Sequence, residues 1–329
     1  MLNRIFTSSS KPLRAPAAWA LAALTILGVE AWVYAHRADM ISDYWNKFLI
    51  NERWAVELPW TPRVVMGNSM QKTGLDPRRI SDDLTLLGVP GAKPTGIEML
   101  LERYLDTHRR GPETLYLYID PEDTLEQTSV ILRYFASVSD ALRIWGELTP
   151  YERWAFIGRY FATLDLRIMS RDAGSRPKFI GHNDYFIAFM KDGRGYMPAP
   201  HAGRSIDPDY FVRDPWRVTV GYSFPEREWK ALGRVLGRCR ERGIRVVLLS
   251  TIVPRTVAKA WRENGFVQKY DDLRTRIRQV YPEVAWEGPA VVAYPDGLFG
   301  DYGHLNTRGV RFYSSRFVRL HGGETGATR

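Results

Sequence analysis

The sequence predicts an α/β fold in which a parallel sheet is covered by helices on both faces. Short apolar, β-rich runs alternate with segments of helical periodicity, and such alternation places consecutive strands parallel to one another. The length of 329 residues accommodates one large domain with an additional segment or insertion. A composition of 45% hydrophobic and 25% charged residues is ordinary for globular proteins and argues against extended disorder.

The individual elements follow from these patterns. Apolar runs predict strands at Arg63–Met66, Leu84–Val89, Thr114–Ile119 and Ile244–Ile252. Helical periodicity predicts helices at Ile97–Leu105, Pro225–Arg242, Val257–Tyr281 and Arg308–Leu320. We therefore assign residues 63–124 and 226–329 to one α/β domain.

A long segment between the third and fourth strands interrupts this alternation. Leu125–Met169 has helical character, and Lys178–Pro200 has the pattern of a hairpin around Asp192-Gly193. A loop rich in Pro and Asp continues to Pro225. We interpret residues 125–225 as a mixed helical and hairpin insertion, or cap, folded onto the carboxyl edge of the sheet.

The N-terminus has the pattern of a membrane anchor. Ala15–Ala35 is apolar and close to the roughly 20 residues that a helix needs to cross a bilayer. Three basic residues precede it and predict a cytoplasmic N-terminus: Arg4, Lys11 and Arg14. Residues 1–36 are then the anchor, and residues 37–62 are a membrane-proximal stalk.

A cleavable signal peptide is the alternative, because Val33-Tyr34-Ala35 is a passable cleavage site. Both interpretations export the remainder of the chain. With the anchor retained, we expect a single-pass protein of the inner (cytoplasmic) membrane, with the α/β domain on the periplasmic or extracytoplasmic side.

Charge and metal-ligand patterns exclude several classes of function. The net charge of +9 comes from scattered arginines without interleaved aromatic residues, so we expect no nucleic acid partner and a weak preference for anionic envelope partners. The single cysteine, Cys239, excludes an intramolecular disulfide and is expected to be a packing residue. His182 and His201 lack metal-like spacing, so no metal or other cofactor is expected.

A serine follows the first predicted strand. Val64–Ser69 has the pattern of a short buried strand, a tight turn containing Gly67, and Ser69 ahead of a segment that can become helical. Ligands bind at the carboxyl ends of strands in such sheets, so the hydroxyl and N–H of Ser69 are expected to face a reacting group. Taken by itself, the segment fits a helix cap without chemistry better.

A second segment changes that judgement. Asp301–Gly309 stands just before the last predicted helix and contains His304 three residues after Asp301. A serine hydroxyl needs a base to remove its proton, and an imidazole base needs a carboxylate to hold its tautomer and orientation. Asp301 and His304 together meet both needs for Ser69.

These two segments resemble the SGNH (GDSL-like) hydrolase superfamily. Its members begin with a strand that ends in Gly-Asp-Ser and finish with Asp-x-x-His-Leu-Asn-x-x-Gly before the terminal helix. The corresponding segments here are Gly67-Asn68-Ser69 and Asp301–Gly309, and the resemblance covers about Arg63–Leu320 apart from the insertion. It implies a flavodoxin-like three-layer α/β/α sandwich.

The resemblance also implies roles for single residues. Ser69 is the expected nucleophile, His304 the general base and Asp301 the residue that orients it. The Gly-Asn-Ser variant, the N-terminal span and the loop Val89-Pro90-Gly91 are similar to a membrane-tethered branch of the superfamily. That branch holds acyl-transfer proteins of envelope polymers, which O-acetylate exopolysaccharides or D-alanylate teichoic acids.

The oxyanion hole departs from the family pattern. The N–H groups of Ser69 and Gly91 are its expected donors. The family's third block, Gly-x-Asn-Asp, should follow the third strand, where this chain has Asp120-Pro121-Glu122-Asp123. Gly181-His182-Asn183-Asp184 occurs later, inside the insertion. Asn183 is either a relocated donor or a coincidence, and we favour coincidence because the wrong strand precedes it.

The function expected from these features is that of an exported serine ester hydrolase or O-acyltransferase acting through an acyl-Ser69 intermediate. The expected substrate is an envelope or extracellular glycan or another acyl ester, and a membrane-bound acyl-donor protein is a further expected partner. The alternative is a non-catalytic assembly factor of a polysaccharide modification or export machine. Asp120, Glu122 and Asp123 could form an acid pair for glycoside cleavage, but we expect them to cap a following helix.

Overall fold

The computed structural model describes most of the chain outside the N-terminal region and the middle of the insertion. The described residues are 15–35, 54–119, 121–122, 132, 136–158, 191–199, 202–207, 209–213 and 215–322. They fall into two compact units, of which one contains residues 15–35 and 157–158 and the other the remainder. Among the helices of these residues, none combines the length and the apolar character needed to cross a membrane. Membrane attachment by residues 1–36 stays a prediction.

Strands and helices alternate along much of the described chain. The strands are β1 (Arg63–Gly67), β2 (Leu84–Gly88), β3 (Thr114–Leu117), β4 (Arg245–Leu248), β5 (Thr251–Pro254), β6 (Ala285–Trp286) and β7 (Val291–Tyr294). The helices are α1 (Ala15–Ala35), α2 (Ser69–Gly74), α3 (Pro94–Thr107), α4 (Val138–Arg143), α5 (Pro150–Gly158), α6 (Tyr210–Arg213), α7 (Trp216–Thr219), α8 (Glu226–Glu241), α9 (Arg255–Glu263), α10 (Phe266–Val280) and α11 (Thr307–His321). Short 3-10 turns cover Pro77–Arg79, Trp145–Glu147 and Asp296–Leu298.

The central sheet is parallel, as predicted. Its strand order is β2-β1-β3-β4-β6, and β5 and β7 form a separate parallel pair. The chain crosses from β1 to β2 on one side and then returns to β3 on the other, so the carboxyl end of β1 lies where the direction of strand addition reverses. Such a reversal leaves a crevice in which α/β proteins bind ligands.

Helices cover the sheet from both sides, which is consistent with a three-layer sandwich. Tyr116 of β3 packs its ring 4.9 Å from that of Phe317 in α11. Helices α3 and α8 pack against each other, and Arg234 of α8 donates to Glu98 of α3 at 2.8 Å. Because both faces are covered, the side chains of β1 are buried without alternation.

The largest differences from the predicted elements lie in the second half of the sheet. The predicted strand Ile244–Ile252 divides into β4 and β5, and the predicted helix Val257–Tyr281 divides into α9 and α10. The helix breaks at Gly265, whose φ of 78° interrupts α-helical geometry. Strands β6 and β7 were not predicted, because β6 has two residues and most of β7 is only half-buried.

The described parts of the insertion lie in more than one place. Its helix α4 lies beside α3, where Arg103 pairs with Asp140 at 3.1 Å. Residues 178–190 of the predicted hairpin lie outside the described residues. Residues 191–195 form a helical turn followed by a tight turn, and the Arg194 carbonyl accepts the N–H of Leu86 at 2.9 Å, so this segment covers part of the β2 edge.

Candidate active site

Ser69 is the first residue of α2 and directly follows the turn at the end of β1. Asn68 is the N-cap of this helix, and its Oδ1 accepts the N–H of Met70 at 2.9 Å. The preceding turn requires a glycine, because a Cβ on Gly67 would lie 2.8 Å from Cγ of Gln71 and 2.9 Å from Cβ of Tyr118. These local constraints bring Ser69 to the carboxyl edge of the sheet.

The loop before α11 is held by the residues of the second predicted segment. Asn306 is the N-cap of α11, and its Oδ1 accepts the N–H groups of Arg308 and Gly309 at 3.1 and 3.0 Å. Its Nδ2 donates to the Gly297 carbonyl at 2.9 Å, which ties the helix to the turn after β7. A Cβ on Gly309 would lie 2.1 Å from the Leu298 carbonyl oxygen, so the helix can approach this turn only with glycine.

The two loops bring Ser69, His304 and Asp301 into one hydrogen-bonded chain. Nε2 of His304 lies 3.0 Å from Oγ of Ser69. Nδ1 of His304 lies 3.0 and 2.9 Å from the two carboxylate oxygens of Asp301. A proton on Nδ1, facing the carboxylate, leaves Nε2 as the acceptor for the serine hydroxyl.

Asp301 is buried and is stabilised in its charged form. Burial alone would raise its pKa, but the hydrogen bond and charge of His304, together with two backbone N–H donors, lower that pKa below its usual value. The backbone donors are Gly303, at 2.9 Å, and His304, at 2.8 Å. The carboxylate therefore stays ionised beside the imidazole at neutral pH.

Two backbone N–H groups are available near Ser69. Val89, Pro90, Gly91 and Ala92 form a turn closed by the Ala92 N–H and the Val89 carbonyl at 3.0 Å, with Gly91 at φ 70°, as in a type II turn. The Val89 N–H donates to the Gly67 carbonyl at 3.1 Å, which places this turn beside the one before Ser69. Among the described residues, no acceptor takes the N–H of Ser69 or of Gly91.

The third predicted oxyanion donor is not described. Asn183 and the other residues of 181–184 lie outside the described residues, so its role stays a prediction. Of the three acidic residues after β3, Glu122 is described; it is buried and forms an isolated bridge with Tyr222. Asp120 and Asp123 lie outside the described residues.

Sequence reasoning missed the contacts that the insertion makes with the loop before α11. The Tyr302 N–H, between Asp301 and His304, donates to the Tyr210 hydroxyl at 3.3 Å. The Thr307 N–H donates to the Ala202 carbonyl at 2.9 Å. Tyr210 precedes Tyr302 by 92 residues, and local sequence patterns do not predict a contact across such a separation.

The sequence also singled out a cysteine and two histidines. Cys239 is buried in α8, and burial raises the pKa of its thiol to about 12, in keeping with the packing role predicted for it. Within the described ranges, no cluster of His, Cys, Asp and Glu side chains could hold a metal ion. His182 and His201 lie outside those ranges.

Comparison with known proteins gives no match, either to protein-family models or to curated proteins. The geometry of Ser69, His304 and Asp301 is therefore the feature of the chain that bears on its function.

Proposed function

We propose that this chain is a serine acyl-ester enzyme of the SGNH class. The observation that carries the proposal is the hydrogen-bonded chain from Asp301 through His304 to Ser69, with a distance of 3.0 Å between Nε2 and Oγ. A serine at this distance from an oriented imidazole is arranged for nucleophilic catalysis. The strand order β2-β1-β3-β4-β6 supports a flavodoxin-like three-layer sandwich.

In the first step, Oγ of Ser69 attacks the carbonyl carbon of an acyl ester. Nε2 of His304 takes the hydroxyl proton, and Asp301 stabilises the resulting imidazolium through Nδ1. The carbonyl oxygen gains the electron pair of the broken π bond and becomes an oxyanion, which the N–H groups of Ser69 and Gly91 are available to stabilise. Collapse breaks the ester C–O bond, and the leaving alkoxide takes the proton from Nε2, which leaves acyl-Ser69.

In the second step, an acceptor hydroxyl removes the acyl group. Nε2 of His304 takes the acceptor's proton as its oxygen attacks acyl-Ser69, and returns that proton to Oγ when the enzyme ester breaks. Water as the acceptor gives an O-acetyl esterase, and a sugar hydroxyl gives an O-acetyltransferase. We propose an envelope or extracellular glycan as the substrate, with a membrane-bound acyl-donor protein as partner if the reaction is transfer.

A labelling experiment on the full-length chain tests the nucleophile. We expect the protein to release p-nitrophenol from its acetate and to be labelled by a serine-directed phosphonate. Ser69→Ala should abolish both, and His304→Ala should lower kcat by about 10³-fold or more, because the base and the nucleophile act as a unit. Ser315→Ala, an exposed serine of α11, is the matched control and should change neither.

The outcome also distinguishes an enzyme from the non-catalytic alternative. Labelling of Ser315, or of any serine other than Ser69, would overturn the assignment of the nucleophile. A folded protein that neither turns over the ester nor takes the label would favour a non-catalytic assembly factor of a polysaccharide machine.

We also propose that the chain is exported and held at the inner membrane by residues 1–36. Arg4, Lys11 and Arg14 precede the apolar stretch, and they support an orientation in which the N-terminus is cytoplasmic and the rest of the chain is exported. Helix α1 exposes large apolar side chains along its length, including Trp19, Leu24, Leu27 and Trp32. Such side chains favour contact with lipid over water.

Fractionation tests this location. We expect the full-length chain to stay with membranes after an alkaline wash, and a reporter enzyme fused after Arg329 to be active only outside the cytoplasm. A chain recovered in the wash supernatant and beginning near residue 36 would contradict the anchor and support signal cleavage instead.

A further inference from the structure

A cationic cleft lies between the edge strand β7 and helix α11. Its cavity volume is about 490 Å³, which lies within the range of small-molecule sites, about 300–1,000 Å³. Three arginines line it: Arg255 at the start of α9, and Arg316 and Arg319 of α11. None of Ser69, His304 and Asp301 lines it, so the cleft is separate from the proposed catalytic site.

The positive charge of the cleft is not neutralised by its own lining. No Asp or Glu side chain lines the cleft, and Arg255 and Arg319 form no ion pair within the described part of the chain. Asp296, which follows the cleft residue Pro295, accepts the N–H of Thr256 at 3.2 Å. Arg316 lies near the half-buried Glu287, so the uncompensated charge of the cleft is that of Arg255 and Arg319.

Aromatic side chains form part of the cleft wall. Tyr294 is 4% exposed and lines the cleft beside Arg316, whose side chain interacts with the Tyr294 hydroxyl. Phe312 is 46% exposed at the same cleft and offers an apolar ring face.

We propose that this cleft binds a ligand that carries a carboxylate or phosphate group beside an apolar ring face, such as an acidic sugar unit. Arginine recognises such oxyanions because its planar guanidinium donates two parallel hydrogen bonds to them. Arg316 and Arg319 lie three residues apart on one face of α11, so both can meet the same anion. The ring of Phe312 packs against the apolar face of the ligand.

Calorimetric titration of the full-length chain with three matched sugars tests the proposal. Glucuronate, glucose 6-phosphate and glucose share a pyranose ring and differ in the anionic group. We expect saturable binding of at least one of the two anions, and binding of glucose that is weaker by about tenfold or more, because charge-assisted hydrogen bonds are lost. Preference between glucuronate and glucose 6-phosphate identifies carboxylate or phosphate as the natural group.

Variants locate the binding. Arg319→Gln and Arg255→Gln should each weaken binding of the preferred anion by about tenfold. Arg311→Gln removes an exposed arginine of α11 that does not line the cleft, and should leave the affinity unchanged. Ser69→Ala should also leave it unchanged, so the result is independent of the proposed catalysis.

Three outcomes would overturn the proposal. The first is equal affinity for glucose and the anions, and the second is equal weakening by Arg311→Gln and Arg319→Gln. The third is loss of binding in Ser69→Ala, which would place the anion at the catalytic serine.

Discussion

Asp301 is the residue on which the geometry of the loop before α11 depends. One of its carboxylate oxygens accepts three hydrogen bonds, from the N–H groups of Gly303 and His304 and from Nδ1 of the imidazole. The same carboxylate therefore fixes the backbone of the loop and the ring that the loop carries. A neutral amide in its place could accept fewer of these bonds and would present an N–H₂ group to one of the donors.

We predict that the contribution of Asp301 to stability depends on pH. Its pKa is lowered in the folded state, so the ionised carboxylate contributes stability that is present above its usual pKa of 3.8 and is lost as the pH falls through the lowered value. Asp301→Asn should lower the free energy of unfolding at pH 7 by about 1–3 kcal/mol. Denaturation at several pH values should show this difference shrinking below pH 3.8.

Asp271→Asn is the control for this prediction. Asp271 is exposed on α10, so the stability of this variant should follow that of the unmodified protein across the same pH range. If the free energy of unfolding of Asp301→Asn stayed below that of the unmodified protein by a constant amount down to pH 2, the charge of Asp301 would contribute nothing to stability.

At the scale of elements, two strand-to-helix connections meet at one edge of the sheet. The connection from β1 to α2 carries Ser69, and the connection from β7 to α11 carries Asp301 and His304. The sequence was sufficient to predict the residues of both connections, because a glycine turn and a helix cap are local patterns. It was insufficient for β6 and β7, since residues 285–286 are too few to show a periodicity and the half-buried 291–293 lack a buried face.

The glycine at the start of α11 provides a test at this scale. We predict that Gly309→Ala destabilises the fold by about 1–3 kcal/mol, the cost typical of overpacking, because the added methyl would meet the Leu298 carbonyl. Turnover should fall as well, since His304 lies in the loop between Leu298 and Gly309. Thermal unfolding and ester hydrolysis measure the two effects.

The matched control is Gly237→Ala in α8, where a Cβ has open space. This change should stabilise the protein by up to about 1 kcal/mol through helix propensity, and should leave turnover unchanged. If Gly309→Ala behaved like Gly237→Ala, the close approach of α11 to the turn at Leu298 would not constrain the loop.

At the scale of the whole molecule, the insertion contacts the domain in several places. Its first part lies against α3 and α8, where Arg234 donates to Glu98 and, at 2.9 Å, to Glu147 of the insertion. Its last part reaches the loop before α11 through Tyr210 and Ala202. Sequence alone predicted that the insertion exists but not its path, because the path depends on pairs of side chains far apart in the chain.

We predict that the pair of Arg234 and Glu147 couples the insertion to the domain. The side chains are 34% and 22% exposed, so solvent screens them less than a surface pair. A double-mutant cycle of Arg234→Met and Glu147→Gln, measured by denaturant unfolding, should give a coupling energy of about 1–2 kcal/mol.

The pair of Arg110 and Glu113 is the control, because it is as short, at 2.7 Å, but its side chains are 70% and 59% exposed. Its cycle should give under about 0.5 kcal/mol, as is common for surface ion pairs. The comparison separates burial from distance as the source of the coupling. Equal coupling energies for the two pairs, or none for Arg234 and Glu147, would mean that apolar packing and the contacts at the catalytic edge hold the insertion in place.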